Sequence, residues 1–332
     1  MSKPFGVVLK LGFGLAIFAV VAYFVDLRET FRVFADLEPG WLVLAVICYL
    51  STRVLTGLKW WVLLGGRNDS VSYPTVQRAL LLSEYQGLLV PNTLAIDALR
   101  AVLLRHHPRG WTHTAASILA DRVISVAAGA ATALTALALS SLLVPLPLSR
   151  AVAIAVVGIS VAILVCVVAV ASRRVFALAI AVLRAITAHG PLKDVTGKIL
   201  RKLGELHHAM STMLADKPTL IRAAPLALGL VLMRCLWVYF IFLSINEPID
   251  LGWVVTLMPI IMTIALLPLT LFGLGLKDGA FVFFFTGVGV PASAALAVSF
   301  VTYGMIIGGA LVLGLLATVF GPTLPMAAKE KP

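Results

Sequence analysis

Ten ionisable side chains fall within or beside runs of apolar sequence: Arg53, Lys59, Glu84, Asp97, Arg100, Asp121, Arg122, Arg234, Lys277 and Asp278. Each costs about 2.5 to 3.5 kcal/mol at mid-span on insertion scales, so this many require a common reason. One reason is a shared polar cavity, in which the bases receive a phosphate. The carboxylates would then orient those bases, take up cationic parts of a ligand or relay protons. The other reason is a set of interhelical ion pairs that holds a bundle together. Lys59 and Arg100 also have the reach to snorkel to a membrane surface. Asp121 and Arg122 are adjacent and so project about 100° apart on a helix, which predicts different partners for each.

Two of these bases follow a break in the chain. PNTLAIDALR (91–100) lies over PLTLFGLGLK (268–277) without a gap, matching Pro91 with Pro268, Thr93 with Thr270, Leu94 with Leu271, Leu99 with Leu276 and Arg100 with Lys277. The same offset of 177 carries 41–64 onto 218–241, Trp60 onto Trp237 and 114–143 onto 291–320. Agreement of the flanking segments at one shift marks an internal repeat. Gly273 and Gly275 precede Lys277 and serve chain breaking or close helix approach, since no strand precedes them to make a dinucleotide loop. A helix resuming after each break would turn its positive N-terminal end toward an anion, which places Arg100 and Lys277 first among the candidate bases.

The elements that must position these residues are membrane helices. Of 332 residues 61% are hydrophobic and 12% charged, with a mean hydropathy of +1.04, a balance that excludes a soluble domain. Full spans are predicted at 5–25, 41–64, 114–143, 151–171, 223–244 and 292–319, and they lack the alternation of barrel strands. The segments 78–104 and 253–290, broken at Pro91 and Pro268, are predicted to be re-entrant hairpins. Loop charges thread them. The 26–40 and 245–252 loops carry Asp26, Glu29, Asp36, Glu38, Glu247 and Asp250 and face outward; 65–78, 100–113 and 172–222 are basic and face the cytoplasm. Both termini are then cytoplasmic, with the first span retained, because VAYFVD offers no small-residue cleavage site. The two units run in opposite senses, and irregular backbone at depth requires an enclosed polar centre. The predicted fold is an all-α polytopic membrane protein with inverted repeats, six full spans and two re-entrant hairpins. It divides into a first span and outer loop (1–40), unit 1 (41–143), a linking span with a basic cytoplasmic segment (144–217), unit 2 (218–320) and a tail (321–332).

Within the linker, Val195, Ile199, Leu203, Leu206, Met210 and Met213 recur at helical spacing, with Lys198, Arg201 and Lys202 off that stripe. An amphipathic helix follows, lying on an anionic leaflet or packing its stripe on the bundle. His106, His107, His207 and His208 read as solvated interface residues rather than metal ligands. Cys48, Cys166 and Cys235 read as packing residues. The formal charge of +11 is the cytoplasmic excess of a membrane protein, not a nucleic-acid signal. No GxxxxGK[ST], HExxH or GxSxG motif is present, so no catalytic residue, metal or cofactor is expected.

The order of these features, PNTLAIDALR, then a D-R pair in ASILADRVIS, then PLTLFGLGLKDGA, resembles the membrane half of the lysylphosphatidylglycerol synthetase/flippase family across roughly residues 40–320. Ala95 and Ile96 stand where that family's pattern has glycines, Lys277 and Asp278 lie near the place of an acid, and Ser299–Tyr303 lacks an arginine of the last span. The resemblance implies the flippase half alone, without the soluble aminoacyl transferase: movement of a phospholipid or polyprenyl-phosphate-linked lipid between leaflets of a bacterial inner membrane. Arg100, Arg122 and Lys277 would hold the head-group phosphate, with Arg53 and Arg234 as further bases and Asp97, Asp121, Glu84 and Asp278 as acids. A second copy of the chain and enzymes of envelope-lipid synthesis are the protein partners such a role allows. An embedded accessory or transferase of envelope-lipid synthesis, and a transporter of a soluble solute, are the alternative readings.

Overall fold

The computed structural model describes residues 30, 37–66, 71–89, 93–105, 107–143, 149–187, 193–267 and 275–320. Among these residues, the helices run in the order α1 (Pro39–Leu64), α2 (Tyr73–Gly87), α3 (Thr93–Leu103), α4 (Gly110–Leu143), α5 (Arg150–Ala171), α6 (Arg173–Thr187), α7 (Lys193–Ala215), α8 (Lys217–Ser244), α9 (Leu251–Ile264), α10 (Leu276–Thr286) and α11 (Ala292–Phe320). Five of them, α1, α4, α5, α8 and α11, are long and apolar enough to cross a bilayer. The chain is an all-α polytopic membrane protein. These five occupy the spans expected from hydropathy, with α8 starting earlier, at Lys217; the expected span 5–25 lies outside the described residues.

Local chemistry sets the helix limits. Asp216 caps α8 by accepting from Thr219 N–H at 3.3 Å, and Asp250 caps α9 by accepting from Gly252 N–H at 2.6 Å. Gly65 ends α1 at φ +128°, a conformation that side-chain-bearing residues rarely adopt. The two segments expected to be hairpins are each a pair of short helices: α2 with α3, and α9 with α10. Pro91, Pro268, Thr270 and Gly273 lie outside the described residues, Thr93 opens α3, and Gly275 is the N-cap of α10 at φ +79°.

α1 and α8, related by the repeat offset, pack along each other antiparallel. Glu38 N–H before α1 donates to Ser244 C=O at the end of α8 at 2.7 Å, and Leu63 near the end of α1 packs on Ala223 and Ala227 near the start of α8. Three further pairs of contacts obey the same pairing. α2 packs on α11 while α9 packs on α4, α2 on α3 while α9 on α10, and α3 on α4 while α10 on α11. Each unit thus clasps the last helix of the other, the pattern a two-fold relation between inverted units requires.

The linker between the two units departs from its expected form. In place of a loop before the amphipathic segment, α6 is a separate helix; Val175, Leu178, Val182 and Leu183 recur on it at helical spacing, although at fifteen residues it is too short to span. On α7 the apolar stripe divides. Leu206, Met210 and Met213 pack on Ala116 and Ala120 of α4, whereas Ile199 and Leu203 are exposed. His107 and His207 are buried, not solvated. His207 stacks on Phe176 at 3.8 Å and lies 2.9 Å from Val170 C=O, tying α7 to α6 and to the end of α5. Cys48 and Cys235 are core residues, but Cys166 is exposed on α5.

Candidate functional site

The intramembrane charges fall into two groups. The first joins α1, α3 and α4. Asp121 lies 3.1 Å from Lys59 Nζ and 4.0 Å from Arg100; Asp97 receives Arg122 and lies 3.6 Å from Arg100. Asp121 and Arg122 therefore do face different partners. Lys59 is fully buried and also donates to Ser125 Oγ, and Arg100 lies flat against Trp60, 4.3 Å from its ring. Trp60 is fixed in turn by Nε1–H donating to Ser117 Oγ at 3.0 Å. Three bases thus share two carboxylates, and Arg100 keeps Nε and Nη2 without a hydrogen-bond partner.

The second group lines a cavity of about 570 Å³ to which both hairpins contribute residues. Leu88 and Ile96 come from the first hairpin, Ala265, Leu266 and Lys277 from the second. Ser125, Val126 and Gly129 of α4 and Tyr303, Ile306 and Ile307 of α11 form opposite walls, and Arg53, Glu84 and Arg234 supply charge. Every helix of both units contributes to this lining. The volume is that of a small-molecule site with apolar walls and few polar groups. Ile307 and Leu311, both exposed, belong to the same lining, so the cavity reaches the lipid-facing side of α11.

The cavity charges are unequally satisfied. Arg53 Nη1 donates to Glu84 Oε1 at 2.6 Å. Arg234 makes no hydrogen bond or ion pair to a described residue, and the buried Lys277 Nζ has no hydrogen-bond partner among them. Lys277 instead faces the rings of Tyr303 at 3.6 Å and Phe281 at 5.4 Å. A buried ammonium against aromatic faces and without a hydrogen-bond partner is under-stabilised and is a strong attractor for an anion.

Asp278 does not reach this cavity. Its carboxylate accepts from Gly275 N–H at 2.9 Å and from Ser299 Oγ–H at 2.6 Å, closing the first turn of α10 and fastening it to α11. Of the nine charged residues expected at one head-group site, Arg53, Glu84, Arg234 and Lys277 line the cavity; Asp97, Arg100, Asp121 and Arg122 form the ion-pair group; Asp278 is a helix cap. Tyr303, Ser125 and Ser299 escaped sequence reasoning, because neutral polar residues in an apolar run carry no periodic or charge signal.

A family model described as the lysylphosphatidylglycerol synthase TM region matches residues 7–314. No curated protein and no solved structure matches the chain. The match runs through both units and through every residue that lines the cavity. The chain therefore belongs to the family of lysylphosphatidylglycerol synthase transmembrane regions.

Proposed function

We propose that the protein is a translocase that moves a phosphate-bearing lipid, a phospholipid or a polyprenyl-phosphate-linked lipid, between the leaflets of a bacterial inner membrane without ATP. The observation that carries this reading is the cavity lined by both hairpins, with Lys277 and Arg234 among its lining and no acid of the described residues paired to either. Broken helices facing each other from inverted units are the arrangement in which transporters hold a substrate. The lipid-facing side of that cavity, at Ile307 and Leu311, gives acyl chains a place outside the bundle while the head group sits within. In this reading Lys277 and Arg234 hold the phosphate, and Arg53 is steadied by Glu84. Arg100 and Arg122, expected to share that role, instead hold the first hairpin to α4 through Asp97 and Asp121. The test is reconstitution into liposomes with labelled lipids. Labelled phosphatidylglycerol should equilibrate between leaflets faster than in empty vesicles, and Lys277→Gln should remove the gain. If no phosphate lipid moves faster than in empty vesicles under any ion gradient, translocation is wrong. Formation of a modified lipid by the purified protein would favour an embedded transferase.

A further inference from the structure

Phosphate lipids differ in the net charge of their head groups, and the polar interior discriminates among them. Six cationic side chains lie inside the bundle among the described residues, Arg53, Lys59, Arg100, Arg122, Arg234 and Lys277, against the four carboxylates Glu84, Asp97, Asp121 and Asp278. The formal excess is two positive charges. Each of the four carboxylates already engages a base or a helix cap, and among the described residues Glu84 alone of the four lines the cavity, against the three bases Arg53, Arg234 and Lys277. Glu84 accepts from Arg53 at 2.6 Å, Asp97 and Asp121 are shared among three bases, and both oxygens of Asp278 are taken by Gly275 N–H and Ser299 Oγ–H. Among the described residues, the two cavity cations without a paired acid are Lys277, whose buried Nζ has no hydrogen-bond partner, and Arg234.

We propose that the cavity takes head groups of net negative charge with no ammonium group, a phosphodiester or phosphomonoester whose remainder is uncharged, and rejects lipids whose head carries an amine. This rests on the lipid-binding reading above and narrows its substrate class. A phosphate would complete the hydrogen bonding of Lys277 and Arg234 and offset the excess charge. An amine would add like charge to an interior already positive, where water does not screen it. The lipid in the family's description bears a lysyl group with two amines, so this chain's cavity is built for a different head.

The test is binding by the full chain in detergent, measured by native mass spectrometry against dioleoyl forms of phosphatidylglycerol, phosphatidic acid and phosphatidylethanolamine and against lysyl-phosphatidylglycerol. Inorganic phosphate and glycerol phosphate are run alongside to separate a lipid head group from a soluble anion. Phosphatidylglycerol and phosphatidic acid should bind about tenfold or more tightly than either amine lipid. Lys277→Gln and Arg234→Gln should each weaken phosphatidylglycerol by about tenfold, the loss of one charge-assisted hydrogen bond, and so shrink the selectivity. Lys277→Arg should keep it. Two variants guard against one that does not fold. Equal or tighter binding of either amine lipid, or undiminished selectivity in both glutamine variants, overturns the proposal. Equal binding of glycerol phosphate and phosphatidylglycerol overturns the lipid assignment. The outcome separates from translocation. If selective binding occurs but no lipid crosses in liposomes, the translocase reading fails alone; if lysyl-phosphatidylglycerol crosses as fast as phosphatidylglycerol, only the charge rule fails.

Discussion

Arg100 and Lys277 hold the same position after the two chain breaks, yet their neighbours divide the work of the interior between them. Arg100 lies between Asp97, Asp121 and the face of Trp60, while Lys277 faces the rings of Tyr303 and Phe281 and its Nζ has no hydrogen-bond partner among the described residues. Removing an acid from the first group leaves buried bases without charge compensation. Asp121→Asn strips Lys59, which is 0% exposed, and weakens the hold on Arg100, so a loss of about 3 to 5 kcal/mol is expected. It would register as a clear fall in the thermal unfolding midpoint in detergent. Lys277→Gln should leave that midpoint unchanged or raise it, because it removes a buried charge that no described acid pairs with, while lipid binding falls. A comparable fall for both variants would show that Lys277 is a structural cation. The sequence makes the candidates legible because charge in an apolar run is rare. It does not make their sorting legible, because sorting depends on where α3 lies against α4 and α10 against α11. Asp278 shows the limit: an acid beside a candidate base reads as its partner, but its place at the first turn of α10 makes it a cap.

At the scale of elements, hydropathy encodes length, and it recovers the five spans that fall within the described residues and the two pairs of short helices at the expected hairpins. α6 escapes because its apolar face covers only fifteen residues bounded by Arg173 and Arg184, and a helix that lies flat leaves no length signal. Close helix approach leaves none either. On α11, an added Cβ at Gly309 would strike Tyr49 of α1 and at Gly314 would strike Tyr85 of α2, whereas at Gly304 and Gly308 it would meet nothing. Four glycines alike in sequence thus carry opposite expectations. Gly314→Leu must push α2 away from α11, the contact by which unit 1 clasps unit 2, and should cost about 1 to 3 kcal/mol while disturbing the cavity wall above it. Gly304→Ala should be neutral or stabilise by about 0.5 to 1 kcal/mol through helix propensity. Thermal unfolding of the two variants side by side checks both signs, and a stable Gly314→Leu protein would mean that α11 does not pack on α2 at that depth.

For the whole molecule, the helix ends sort into two sides without reference to charge. Glu38 meets Ser244, and Ser149 N–H donates to Gly287 C=O at 3.4 Å, which places the starts of α1 and α5 with the ends of α8 and α10. On the opposite side Arg78 at the start of α2 donates to Ala317 C=O at 2.9 Å, completing the C-terminal turn of α11. The first side displays Glu38, Glu247 and Asp250 with Arg150, the second Arg78, Arg105, Arg173, Arg174, Arg201 and Lys202 with Glu205 and Asp216. An excess of basic residues marks the cytoplasmic side, so the second set should face inward. With Cys48, Cys166 and Cys235 replaced by alanine, an impermeant maleimide on intact cells should label Glu38→Cys and should label Arg201→Cys only after permeabilisation; the reverse pattern inverts the topology. Restoring Cys235 alone then turns a native cavity residue into a reporter of access. If one unit rocks against the other about the cavity, it opens to each side in turn, and Cys235 must react from both faces of the membrane at different rates. A phosphate lipid held by Lys277 and Arg234 should slow labelling from both faces, and Lys277→Gln should abolish that protection. Reaction from one face alone, unchanged by lipid, would describe a fixed one-sided pocket and end the case for alternating access.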